Sequence, residues 1–215
     1  MKTFTSILVL VVLGGGLWWW GENNNNNLLG GSGGPAIEEE AQELCFLKFE
    51  DSLDSDFEDK YTLRMNLEGQ KAAGELRMLP AEKDALIGKF EGAITGNTAN
   101  IVWSMEGEVG TAQEELVITL GEAEASIPKY SLALPKILCA ELNEREAVEK
   151  YLWEKIVTLS PIAPALGGNW YVVSAELDLE KNSGTVTYED GHIQEKRDFT
   201  YVLKADGAVE SLTIE

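Results

Sequence analysis

Between residue 44 and about residue 127 the chain is cut into successive short segments in which apolar and polar residues alternate. Few architectures accept such a pattern. YTLRMNL (61–67) alternates with period two, as a half-buried strand must, because successive side chains leave opposite faces of the strand. Glu68, Gly69 and Gln70 make a turn, AAGELRML (72–79) pairs back, and Pro80 with the polar AEKD stretch ends that hairpin. IGKFEGAI (87–94), NIVWSMEGE (100–108) and EELVITLGE (114–122) follow. Gly74, Gly88 and Gly92 fall inside these segments, where they mark bulges or the tight coiling of a sheet that closes on itself. The pattern predicts five to six antiparallel strands in a small β-barrel or meander over residues 43–130.

The period then changes. Val148, Tyr151, Leu152, Ile156 and Leu159 recur at spacings of three and four, which makes one apolar helix face. Asn143 with Glu146 three residues on reads as a capping-box start, and Pro161 and Pro164 stop the helix. After it come NWYVVSAELDL (169–179), TVTYE (185–189), HIQEKRDFTYVL (192–203) and AVESLTI (208–214), with turns at 182–184, 190–191 and 206–207. Asp190-Gly191 suits a type I′ turn. Residues 136–215 are therefore expected to form a helix plus a four-stranded antiparallel sheet, in the manner of cystatin-like folds. The fold class as a whole is α+β, mostly antiparallel β.

The N-terminus carries a different signal. FTSILVLVVLGGGLWWW (4–20) holds no charge. At about 1.5 Å per residue it spans roughly 25 Å as a helix, near the bilayer's hydrocarbon thickness. Trp18, Trp19 and Trp20 suit the interface, and Lys2 is the sole basic residue before Lys48. Residues 1–20 read as a transmembrane helix with its N-terminus inside and the bulk of the chain outside the cytoplasm. A cleaved signal is the rival reading; three tryptophans stand where a peptidase needs small residues. GENNNNNLLGGSGG (21–34) offers almost nothing to bury, so residues 21–42 are expected to act as a linker.

Charge narrows the partners. Against 17 basic residues stand 37 acidic ones, a formal net charge of -20. A surface of that sign repels phosphate, which argues against nucleic acid and leaves basic proteins or other envelope partners. Cys45 and Cys139 are the only cysteines; in an oxidising compartment they form a disulfide, and otherwise two buried thiols.

Chemical motifs are sparse. His192, the one histidine, sits by the Asp190-Gly191 turn with no nucleophile motif to serve, and reads as a surface residue. DSLDSDFED (51–59) is dense in carboxylates but misses the EF-hand spacing: counted from Asp54, the positions that need glycine and glutamate hold Asp59 and Met65. Trp103, Trp153 and Trp170 each have apolar neighbours and read as core rather than as a carbohydrate-stacking platform. No catalytic, cofactor-binding or metal-binding residue is assigned.

LPAEKDALIGKFEG (79–92), LGGNWYVVSAELDLEKNSG (166–184) and TVTYEDGHIQEKRDFTY (185–201) resemble segments of uncharacterised exported or membrane-anchored proteins of small-genome, candidate-phyla-type bacteria. The resemblance covers most of residues 43–215. It implies a bacterial envelope setting and brings no activity or site residue with it. The expectation is a membrane-anchored, extracytoplasmic, non-catalytic binding or structural module. A cell-envelope hydrolase using paired carboxylates and a calcium-dependent binding module are the alternatives.

Overall fold

The computed structural model describes residues 41–52, 57–81, 83–107 and 110–215. The anchor read at 1–20 and nearly all of the linker read at 21–42 lie outside the described residues. Glu39–Glu215 form one compact unit.

Eight antiparallel strands close into a barrel: β1 (Gln42–Asp51), β2 (Glu58–Glu68), β3 (Lys71–Leu79), β4 (Leu86–Thr95), β5 (Thr98–Gly107), β6 (Gly110–Leu120), β7 (Glu124–Ile127) and β8 (Leu132–Ile137). Closure is made by β8 returning to β1 through the pairs Cys45↔Ile137 and Phe46↔Lys136. The two last strands exceed the five or six expected because they are short and lie around prolines. Pro128 opens a 3₁₀ turn, Pro128–Tyr130, and Pro135 sits just beyond the β1–β8 ladder. The chain between the units expected at 43–130 and 136–215 therefore completes the barrel.

Alternate residues along the strands face inward and fill the interior, as eight strands leave room for side chains and little more. Phe46, Leu63, Met65, Leu76, Phe90, Trp103, Ile118 and Leu134 are all buried there. The glycines inside strands serve coiling rather than bulges, for the ladders from β2 to β5 run without a register shift. A Cβ on Gly74 would lie 2.8 Å from Phe90 Cζ, and one on Gly88 2.7 Å from Trp103 Nε1, so neither position accepts a side chain without displacing the core.

Helix α1 (Cys139–Leu159) begins one turn earlier than Asn143. Leu138 occupies the N-cap position with no side-chain hydrogen bond, and Cys139 is held by a disulfide to Cys45 on β1, so a covalent tie stands where a capping box was expected. The helix covers part of the barrel's outer wall. That is why Leu44, Cys45, Phe46 and Leu47 are buried in succession instead of alternating. Its apolar face, Val148, Leu152 and Ile156, packs on a four-stranded antiparallel sheet of β9 (Tyr171–Asp178), β10 (Ser183–Glu189), β11 (Gln194–Leu203) and β12 (Val209–Ile214), ordered β12-β11-β10-β9. Trp170 meets Tyr188 edge-on with ring centroids 4.9 Å apart, and Trp170 Nε1 donates to the Ile162 carbonyl at 3.0 Å. In the β10–β11 turn Gly191 takes φ 84° while Asp190 stays out of the left-handed region. A type I′ turn needs both central residues there, so that form is not adopted.

Candidate functional site

Helix α1 has a second face. Glu146, Glu149, Lys150 and Trp153 stand at i, i+3, i+4 and i+7, which places them on one side of the helix. Opposite them are the outward-facing residues of the barrel: Phe49 of β1, Lys60 and Thr62 of β2, Arg77 and Leu79 of β3, Ile87 of β4. These alternate with the inward residues of the barrel core, so the strand period itself aims them at the helix. Between the two surfaces and Val173–Glu176 of β9 opens a cleft of about 890 Å³. That size lies within the range of ligand sites in proteins.

Ion pairs fix the cleft's walls. Lys60 Nζ lies 2.5 Å from both carboxylate oxygens of Glu149. Arg64 Nη2 donates to Asn143 Oδ1 at 2.7 Å and to Glu146 Oε2 at 3.1 Å, while its Nη1 reaches Glu43 Oε1 at 3.0 Å. Arg77 Nη1 stands 3.8 Å from the other Glu146 oxygen. The two helix carboxylates that face the barrel are thus each held by a cation. Held in this way they position the helix against the barrel. At the edge of this region, Asp59 accepts hydrogen bonds from the Ala81 N–H at 2.8 Å and the Tyr61 hydroxyl at 3.1 Å. Burial, with the Asp59 carboxylate as hydrogen-bond partner, pushes the Tyr61 phenol up to about 12.

The tryptophans divide. Trp103 and Trp170 are buried, as their neighbours suggested, but Trp153 is 62% exposed and lines the cleft. The helical phase carried the signal, since Trp153 falls off the stripe of Val148, Leu152 and Ile156. Asn143 and Glu146, read as a cap, instead bind Arg64.

His192 is exposed in the β10–β11 turn. Its relation to Asp190 is through the main chain: Asp190 accepts from the N–H groups of His192 and Ile193, each at 2.9 Å, and from that of Ala165. These donors, that of Ile193 foremost, hold the Asp190 carboxyl below its ordinary value. The carboxylate clasps two loops together. Of the acidic run 51–59, Asp51 and Glu58 face each other at the end of the β1–β2 ladder, and residues 53–56 lie outside the described residues. Glu43 approaches Cys45 and Cys139 closely enough to suggest a metal set, but both sulfurs are spent in the disulfide.

Comparison of the chain with protein-family models, with curated proteins and with solved structures finds no match in any of the three.

Proposed function

We propose that this chain is a membrane-anchored, extracytoplasmic, non-catalytic binding module whose partner is engaged in the cleft between the barrel, α1 and β9. The observation that carries the reading is the exposed Trp153 in a cleft walled by Phe49, Leu79 and Ile87, with its helix carboxylates neutralised by Lys60, Arg64 and Arg77. An aromatic ring left in solvent beside aliphatic side chains favours contact with a ligand, whereas carboxylates in ion pairs do not favour acid–base chemistry. The compartment rests on two supports. One is the uncharged run at 4–20. The other is the Cys45–Cys139 disulfide, a bond that persists in oxidising surroundings.

The test places a photo-crosslinking amino acid, p-benzoylphenylalanine, at position 153 of the full chain in its own cells. A control carries it at Val117, which is exposed on β6. Adducts at 153 and none at 117, in protein retained by carbonate-washed membranes and cut by protease added to intact cells, are the expected result. No adduct at 153, or a chain protected from external protease, would overturn the reading.

A further inference from the structure

Strand β9 ends its sheet. It pairs with β10 alone, and among the described residues no backbone hydrogen bond outside that ladder is made by Val172, Val173, Ser174, Ala175, Glu176 or Leu177. An edge of this kind presents a row of N–H and C=O groups that can pair with another chain. Proteins commonly guard such edges with lysine, proline or short length. YVVSAELD has eight residues and neither lysine nor proline, and beyond the bulge at Val173, itself an edge guard, Ser174–Asp178 runs in regular register.

The cleft follows this edge. A groove lying on one face of a strand touches every second residue, because side chains alternate. Here four consecutive residues, Val173, Ser174, Ala175 and Glu176, line it, so it runs along the side of the strand where the unpaired groups lie. The opposite edge strand of the sheet, β12, contributes nothing to this cleft.

We infer that the free edge of β9 receives an extended peptide segment of a partner protein, which adds to the sheet as a fifth strand and carries alternating apolar and basic side chains. Strand addition draws affinity from main-chain hydrogen bonds and selectivity from the pockets that alternate side chains enter. The apolar set is fitted by Phe49, Leu79, Ile87 and Trp153. The basic set is fitted by charge. Lys60 and Arg77 are paired with helix carboxylates, Lys150 with Glu154 and Glu176 with Lys196, while Glu58 stands on the cleft in no ion pair among the described residues and the whole chain carries a formal charge of -20. The same charge opposes a second copy of this chain as occupant.

This inference rests on the cleft being the binding site, and its test separates the two. The full chain is prepared in detergent micelles. It is titrated against a fluorescent, end-blocked eight-residue peptide alternating lysine and valine, read by anisotropy, beside the same peptide with glutamate for lysine. Two further peptides carry N-methyl groups on the lysine amides or on the valine amides. In strand addition only every second peptide N–H points at β9. One methylated form should therefore lose about tenfold or more in affinity while the other stays within about twofold, the loss of several backbone hydrogen bonds being concentrated in one phase. Trp153→Ala should weaken the parent peptide, and the glutamate peptide should not bind. Absence of binding by the lysine–valine peptide overturns the inference, as does equal response to both methylation patterns, which is the mark of adsorption to an acidic surface. Self-association of the chain blocked by the Ala175→Pro substitution would overturn it in favour of a second copy. An adduct at position 153 in cells without peptide binding leaves the binding-module reading standing and removes the strand addition alone.

Discussion

Cys45 in the first barrel strand and Cys139 at the first residue of α1 are joined by a disulfide, with their Cα atoms 5.1 Å apart across a sequence separation of 94. The loop so closed contains nearly the whole barrel. The bond also fixes the start of the helix on the barrel wall, and the helix then runs past Arg64 and Lys60 to present Trp153 at the cleft. Covalent, ionic and apolar contacts thus follow one another along a single helix.

Removing that bond should be costly. Cross-linking a loop of this length restricts the unfolded chain by about 4–5 kcal/mol in the chain-entropy model. Reduction of the protein, or the double substitution Cys45→Ala with Cys139→Ala, is expected to lower the free energy of unfolding by most of that amount. Equilibrium unfolding with and without reductant measures it. A difference under about 1 kcal/mol would mean that the unfolded chain is held together by something other than this link.

The Lys60–Glu149 pair offers a second measurement. The side chains are 14% and 22% exposed, between the regime of surface pairs, worth little, and that of buried pairs, costly to break. A double-mutant cycle with Lys60→Met and Glu149→Gln should give a coupling of about 1–3 kcal/mol. The double substitution should cost less than the sum of the two single ones, since each single substitution leaves a largely buried partner unpaired. A coupling indistinguishable from zero would show the two groups to be solvated separately.

Much of this fold is legible in the residues. Period-two alternation marks β4, β6 and β11 most clearly, because each of those strands faces core on one side and solvent on the other. The alternation fails where both faces are covered, as at Leu44–Leu47 under α1, and where a strand is too short to show a period, as in β7. The start of α1 was hidden for another reason: a disulfide between residues far apart in sequence replaces the local cap that Asn143 and Glu146 suggest. The cleft was hidden more deeply. Its parts lie on β1, β2, β3, β4, α1 and β9, and only the exposed phase of Trp153 on the helix hinted at it. A site assembled from six elements spread along the chain leaves no single spacing to read.

Acid should expose the role of Asp190. Three backbone N–H groups, those of Ile193, His192 and Ala165, bond its carboxylate and hold its pKa below the ordinary 3.8. The unfolded chain therefore binds this proton more readily than the folded one, so Asp190 stabilises the fold fully above the ordinary aspartate range. The contribution is lost as pH falls through the depressed folded value. Asp190→Ala is expected to melt at a lower temperature than the parent at neutral pH. The gap should narrow once the pH drops below the ordinary value, because protonation removes from the parent what the substitution has already removed from the variant. Melting curves for both proteins across an acid series decide it. A gap that widens on acidification, or is missing at neutral pH, would show that the clasp between the Ala165 turn and the β10–β11 turn is held by other contacts.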